Sequence, residues 1–127
     1  MRLDLLINDF VYKAIRERNL IIYERSFKRT FIHVRDMVRS FIFAIENFGA
    51  LKNDVFNVGS EDLNFSKEDV ANLIRRRLDF YLHFADCGKD EDQRNYVVSY
   101  EKIRSRGYKT TVSIDEGIDE LIRAMRV

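Results

Sequence analysis

A chain of 127 residues, 46% hydrophobic and 34% charged, is long enough for one globular domain with a modest core, and its composition excludes disorder and collagen-like repeats. With 22 Lys and Arg against 21 Asp and Glu the formal charge is +1, which excludes a global electrostatic pull on nucleic acid or anionic lipid. The single cysteine, Cys87, excludes an internal disulfide, and no apolar run approaches the ~18 to 20 residues of a membrane span. No secretory pattern opens the sequence, so a cytoplasmic chain without membrane partners is expected. Zero prolines and five glycines leave no glycine-rich phosphate loop of any recognised spacing.

In chain order, Leu3, Leu6, Ile7, Phe10, Val11 and Ala14 recur at helical spacing and predict an amphipathic helix over residues 3–18. Leu20 to Tyr23 reads as a short strand. Thr30, Ile32 and Val34 alternate with Phe31 and His33, which predicts a second strand and a hairpin with the first. Asp36 is placed as the cap of a helix over 36–48, ended by Gly49, whose Met37, Val38, Phe41, Ala44, Ile45 and Phe48 form one apolar face. The helices over 3–18 and 36–48 are more apolar than a chain of this size readily covers, with Phe41, Phe43 and Phe48 crowded together, and self-association is expected.

Val55 to Val58 reads as a strand, and strand, helix, strand implies a crossover unit in a mixed sheet. Ser66 with Asp69 opens a third helix in capping-box style, and Phe80 to Phe84 is a further strand. A polar loop over Asp86 to Asn95 precedes a strand at Tyr96 to Val98 and a short helix over Ser99 to Arg106. A second capping box, Ser113 with Glu116, opens the last helix. The fold class is α/β, a small mixed sheet flanked by helices, in a single domain over residues 1–127.

Few residues carry chemistry by type and spacing. No acidic pair forms a compact acid and base motif, and His33 and His83 lie in strand patterns without partners at metal-ligand spacing, so no catalytic residue and no metal is assigned. Cys87 is an inert thiol by default, and Arg75 to Arg77 a solvated helix face. Arg29 and Arg94 differ in that each stands at the mouth of an expected strand, where a planar guanidinium fork suits two phosphate oxygens.

Taken in order, Asp-Leu-Leu-Ile-Asn-Asp-Phe (4–10), Ile-Ile-Tyr (21–23), Arg-Thr-Phe-Ile-His-Val-Arg-Asp (29–36), Phe-Asn-Val-Gly (56–59), Asp-Gln-Arg-Asn-Tyr-Val-Val-Ser (92–99) and Ser-Ile-Asp-Glu-Gly-Ile (113–118) resemble the carboxy-terminal part of the extended short-chain dehydrogenases, the NAD-dependent sugar-nucleotide epimerases and dehydratases. The resemblance implies the substrate-binding portion of a Rossmann-type enzyme without its NAD-binding domain. The glycine fingerprint and Tyr-x-x-x-Lys pair of that family have no counterpart in these residues, so NAD is implied for a full-length parent and no cofactor for this chain. It further implies Asn8 and Arg94 near the diphosphate of a nucleotide-diphosphate sugar, Arg29 near the diphosphate or ribose, and Ile22 and Tyr23 alongside the base. Glu24-Arg25-Ser26-Phe27 stands where the family commonly carries a glycine-containing turn.

The sequence therefore predicts a nucleotide-sugar-binding fragment, not competent alone, whose partners are the missing Rossmann half and further copies of itself. Its rival is a free-standing interaction module that keeps the fold and pairs with itself or a separate Rossmann subunit. A nucleic-acid binder built on Arg75 to Arg77 ranks below both. Arg29 and Arg94 are expected to face one cleft, with Asn8 at its edge.

Overall fold

The computed structural model of the protein describes residues 1–89 and 94–126. Helix α1 (Leu6–Arg16) leads directly into β1 (Asn19–Tyr23), with Arg18 at φ +54° making the turn between them. Strand β1 does not form a hairpin. It pairs in parallel with β4 (Tyr81–Ala85), in the register Asn19 to Tyr81 through Tyr23 to Ala85, so the crossover joins these two strands.

The second strand is displaced from its expected place: β2 (Lys28–Thr30) pairs antiparallel with β3 (Asn64–Ser66). Phe31 still donates its N–H to the Leu63 carbonyl at 3.0 Å, and residues 32–33 then leave the ladder, where His33 takes another part. Its Nδ1 accepts the Arg35 N–H at 3.1 Å and caps α2 (Val34–Glu46), the role expected of Asp36. Strands of both senses thus occur in two separate pairs, and the α/β class holds.

Past α2, Gly49 lies inside a single turn, α3 (Phe48–Leu51), instead of terminating the longer helix. Residues 55–58 alternate as a strand would, with Phe56 and Val58 turned toward Tyr100, Ile103 and Tyr108, yet form no ladder. Lys102 Nζ takes the Val55 carbonyl at 2.8 Å. Helix α4 (Lys67–Arg75) begins in a complete capping box, Ser66 with Asp69, and α6 (Ile114–Met125) in another, Ser113 with Glu116. Helix α5 (Glu101–Arg104) is one turn, and Gly107 at φ +99° follows it. Residues 96–98 run beside β2 without becoming a strand, and part of the loop expected over 86–95, residues 90–93, lies outside the described residues.

The core sits where α1, α4 and α6 close on the inner faces of β1 and β4. Phe10, Val11 and Ala14 meet Leu20 and Ile22, Val70, Ala71 and Ile74, and Ile114, Ile118 and Ile122, all buried. Burying such side chains contributes about 1.5 to 3 kcal/mol each. Of the Arg75 to Arg77 run, Arg77 is not simply solvated. Its Nε and Nη2 donate to Asp119 and Asp115 at 2.6 Å each, and its Nη1 to the Leu73 carbonyl, tying the end of α4 to α6.

Candidate functional site

In open α/β sheets, ligands lie outside the carboxyl ends of parallel strands, because strand-to-loop transitions leave backbone groups and side chains there to converge. In this chain those ends are Tyr23 and Ala85, and the loops leaving them are 24–27 and the stretch from Asp86.

Loop 24–27 is held on the first turn of α4. The Lys67 and Glu68 N–H groups donate to the Phe27 and Arg25 carbonyls at 3.2 and 3.0 Å. The Lys67 ammonium, buried, donates to the Tyr23 carbonyl at 3.2 Å and lies 5.6 Å from the Phe27 ring centroid. Glu24 adopts φ +51°, the left-handed conformation a glycine would accept freely, so the chain keeps a glycine-like turn without the glycine. Tyr23 is half-exposed and its ring rests on Gly88: a Cβ there would lie 2.6 Å from a Tyr23 ring carbon. Ile22 is buried in the core, so its backbone is what it can offer a ligand.

Arg29 is 5% exposed, an unusual degree of burial for a guanidinium. It donates to the Lys28 carbonyl at 3.0 Å, and its Cζ lies 5.9 Å from the Tyr96 ring centroid, a cation–π arrangement that holds the fork in one orientation. The stretch after Arg94 is clipped to the same edge. Asn95 Oδ1 accepts the Lys28 N–H at 2.9 Å, and the Tyr96 N–H donates to the Lys28 carbonyl at 3.3 Å. Arg94, exposed, therefore stands two residues from the ring that Arg29 lies over.

Behind this edge, Asn64 Nδ2 donates to the Val98 carbonyl, Thr30 and Tyr100 share a hydroxyl hydrogen bond, and Glu61 accepts the Tyr100 N–H at 2.8 Å. Burial pushes the Tyr100 phenol up, while the Tyr100 N–H holds the Glu61 carboxyl below its ordinary value, so both remain in the forms that make these bonds.

Asn8 stands elsewhere. It lines a cavity of about 450 Å³ between α1, α6 and residues 31–34, with Leu5, Phe31, Ile118 and Leu121 among its apolar walls, and neither Arg29 nor Arg94 borders that cavity. Its Nδ2 donates to the Arg2 carbonyl at 2.7 Å. On the cavity wall, His33 Nε2 faces Glu120 Oε2 at 3.1 Å, and Glu120 also pairs with Arg35. Because His33 Nδ1 accepts a backbone N–H, Nε2 is the nitrogen that carries the proton toward Glu120.

The structure thus brings Arg29 beside the stretch following Arg94, and Tyr23 beside Gly88, while Asn8 joins neither pair. Asn95, Tyr96, Gly88 and Lys67 escaped the sequence reading. Only the position of Asn95 and Tyr96 directly after Arg94 could have signalled two of them.

A dinucleotide pyrophosphate needs a strand that passes through a glycine turn into a helix N-terminus. Among the described residues β1 runs into the loop to β2, β4 into the loop from Asp86, and β3 passes into α4 without a glycine, so these residues offer no such turn to a dinucleotide pyrophosphate. No helix of the described residues is long and apolar enough to cross a membrane.

Residues 3–59 match the NAD dependent epimerase/dehydratase family. The chain is 28% identical over 102 residues to the dTDP-4-dehydro-6-deoxyglucose reductase of Escherichia coli, a match covering 78% of this chain and 31% of that protein. Among solved structures it is similar to the UDP-glucuronic acid 4-epimerase of Bacillus cereus in complex with UDP-glucuronic acid and NAD. There the TM-score is 0.79 at 18% identity, over 99% of this chain and 41% of that one. It is also similar to the ADP-L-glycero-D-manno-heptose-6-epimerase of Helicobacter pylori, with a TM-score of 0.75 at 18% identity, over 95% of this chain and 37% of that one. The structural likenesses establish the fold alone, a small α/β arrangement similar to part of these Rossmann-type epimerase folds. The chain spans about a third of the length of the curated relative.

Proposed function

We propose that residues 1–127 are the nucleotide-sugar-binding portion of an NAD-dependent sugar-nucleotide epimerase, dehydratase or reductase, and that a Rossmann half supplies the cofactor site and the proton-transfer pair. The observation that carries this reading is the shared edge of Arg29 and the Arg94–Tyr96 stretch, near the loops that leave the parallel strands. A rigid guanidinium on an aromatic ring and a second, exposed one two residues from that ring are the chemistry a diphosphate needs. The family match over residues 3–59 and the substrates in the names of the relatives support the ligand class. In this reading Tyr23 and the Ile22 backbone flank the base, the two arginines take the diphosphate, and Asn8 takes a secondary part at most. The chain orients the substrate and excludes water from one side, and catalyses nothing alone.

Calorimetric titration of the chain with UDP-, dTDP- and GDP-glucose tests it. Weak binding is expected, about 100 μM or weaker, because half of the pocket is absent. Arg94→Ala should reduce affinity at least tenfold, the loss of about 1.5 to 3 kcal/mol that a charge-assisted hydrogen bond supplies, and Arg94→Lys should restore only part. Affinity unchanged in Arg94→Ala would contradict the assignment. The interaction-module reading is favoured by one observation, the outward apolar side of α2.

A further inference from the structure

The peptides of the loop after β1 are turned one way. The Tyr23 carbonyl accepts from the Lys67 ammonium at 3.2 Å, the Arg25 carbonyl from the Glu68 N–H at 3.0 Å and the Phe27 carbonyl from the Lys67 N–H at 3.2 Å. All three are thus drawn onto the first turn of α4, and the Glu24 carbonyl is spent inside the loop, on the Phe27 N–H at 3.0 Å. Every peptide is trans, so its N–H points opposite to its carbonyl. The N–H groups of Glu24, Ser26 and Lys28 are therefore turned away from α4, and that of Arg25 out of the bend. The Lys28 N–H shows where this side leads, since Asn95 Oδ1 accepts it at 2.9 Å, directly after Arg94. Arg25 and Ser26 are exposed, and among the described residues nothing accepts from their N–H groups.

A bend that only faced water would not need a buried cation to orient it. The Lys67 side chain is 1% exposed, and Lys67 is the first residue of α4, where the helix dipole disfavours positive charge. Glu68 and Asp69 in the same turn offset that cost. The carbonyl that this ammonium holds belongs to the last residue of β1, at the end of the parallel pair.

We propose that loop 24–27 is a donor rim that reads the base of the nucleotide sugar, selecting a keto oxygen at C4 of a pyrimidine or C6 of a purine over an amino group, and that Lys67 is the positioning residue that fixes it. This rests on the nucleotide-sugar reading above. Thymine, uracil and guanine carry an acceptor at that position, whereas cytosine and adenine carry a donor. An amino group set against the Arg25 and Ser26 N–H groups leaves donors facing donors, and a site with unpaired polar groups rejects a near-isostere strongly. A base suits the loop better than a phosphate does. The Arg25 guanidinium is already beside Glu68, at 3.8 Å, and the surroundings are rings: Tyr23, Phe27, and Phe84 with its centroid 5.4 Å from Arg25 Cζ. Flat aromatic neighbours fit a planar ligand.

Amide-shift titrations of the labelled chain with UDP-, CDP-, GDP- and ADP-glucose test this. UDP-glucose should bind about tenfold or more tightly than CDP-glucose, and GDP-glucose than ADP-glucose, with the Arg25 and Ser26 amides shifting for the keto bases only. Lys67→Met, which keeps the backbone bonds to α4, should bring both ratios down to about threefold or less while pyrophosphate alone binds as before, and Lys67→Gln, whose amide can still donate to Tyr23, should keep part of them. Equal affinities within each pair, or Arg25 and Ser26 shifts elicited by pyrophosphate alone, would overturn the base reading and leave the nucleotide-sugar reading standing. Ratios that survive in a folded Lys67→Met chain would overturn the part given to Lys67. The ratios of the unaltered chain decide the base reading even where Lys67→Met does not fold. Absence of shifts with all four ligands at millimolar concentration would overturn both readings.

Discussion

Asp36 is fully buried, and its carboxylate accepts the Thr111 and Val112 N–H groups, the Thr111 hydroxyl and the Arg39 guanidinium. It staples the 111–112 stretch, and through it the start of α6, onto α2. Burial alone would raise its pKa and is the largest single influence, yet the hydrogen bonds from Val112, Thr111 and Arg39 together hold it below the ordinary 3.8. A carboxyl depressed in the folded state contributes stability that is complete above about pH 4 and is lost as pH falls through the folded-state value. Asp36→Ala should therefore cost about 3 kcal/mol at pH 7 in urea denaturation, because two backbone donors and a hydroxyl lose their acceptor, and its deficit relative to the unaltered chain should shrink below about pH 4. Gly88 makes a different demand. At φ +109°, with the Tyr23 ring where a Cβ would stand, Gly88→Ala should cost about 1 to 3 kcal/mol and displace the ring. A crystal structure of that variant with Tyr23 unmoved would contradict the contact. Arg29 and Arg94 were legible as residue types at the mouths of expected strands, although Arg29 is the middle residue of β2 and residues 96–98 form no strand. The Tyr96 ring under Arg29 was not, since a contact across 67 residues leaves no local trace.

Among the elements, the two capping boxes were readable because their chemistry is a three-residue spacing, Ser66 to Asp69 and Ser113 to Glu116, and both bonds of each are made. Ser66→Ala should destabilise the chain by about 1 kcal/mol, seen as an earlier urea midpoint with unchanged slope. Strand pairing was not readable. Apolar runs mark Leu20 to Tyr23 and Phe80 to Phe84 as strands, but nothing in either names a parallel partner some 60 residues away. The expected hairpin failed for that reason. The strand expected over 30–34 failed because His33 serves as a helix cap, a role that competes with the ladder. Residues 55–58 keep the alternation of a strand without its hydrogen bonds, since side chains of Asp54 and Lys102 take backbone groups of Val55.

At the scale of the molecule, the chain reproduces the fold of about 40% of two epimerases at TM-scores of 0.75 and 0.79. What this part contributes is an ordered edge. Loop 24–27 is pinned to α4, and Lys28 is bonded to Asn95 and Tyr96, so this surface is set before any ligand arrives. The central claim is that this edge takes a nucleotide sugar. Amide chemical-shift mapping of the isotopically labelled chain, titrated with a nucleoside diphosphate sugar, tests it most directly. Saturable shifts are expected at Tyr23, Arg29 and Arg94 to Tyr96, absent with free glucose and reduced in Arg94→Ala. Shifts confined to the apolar side of α2 or to the cavity beside Asn8, or none at millimolar ligand, would contradict it.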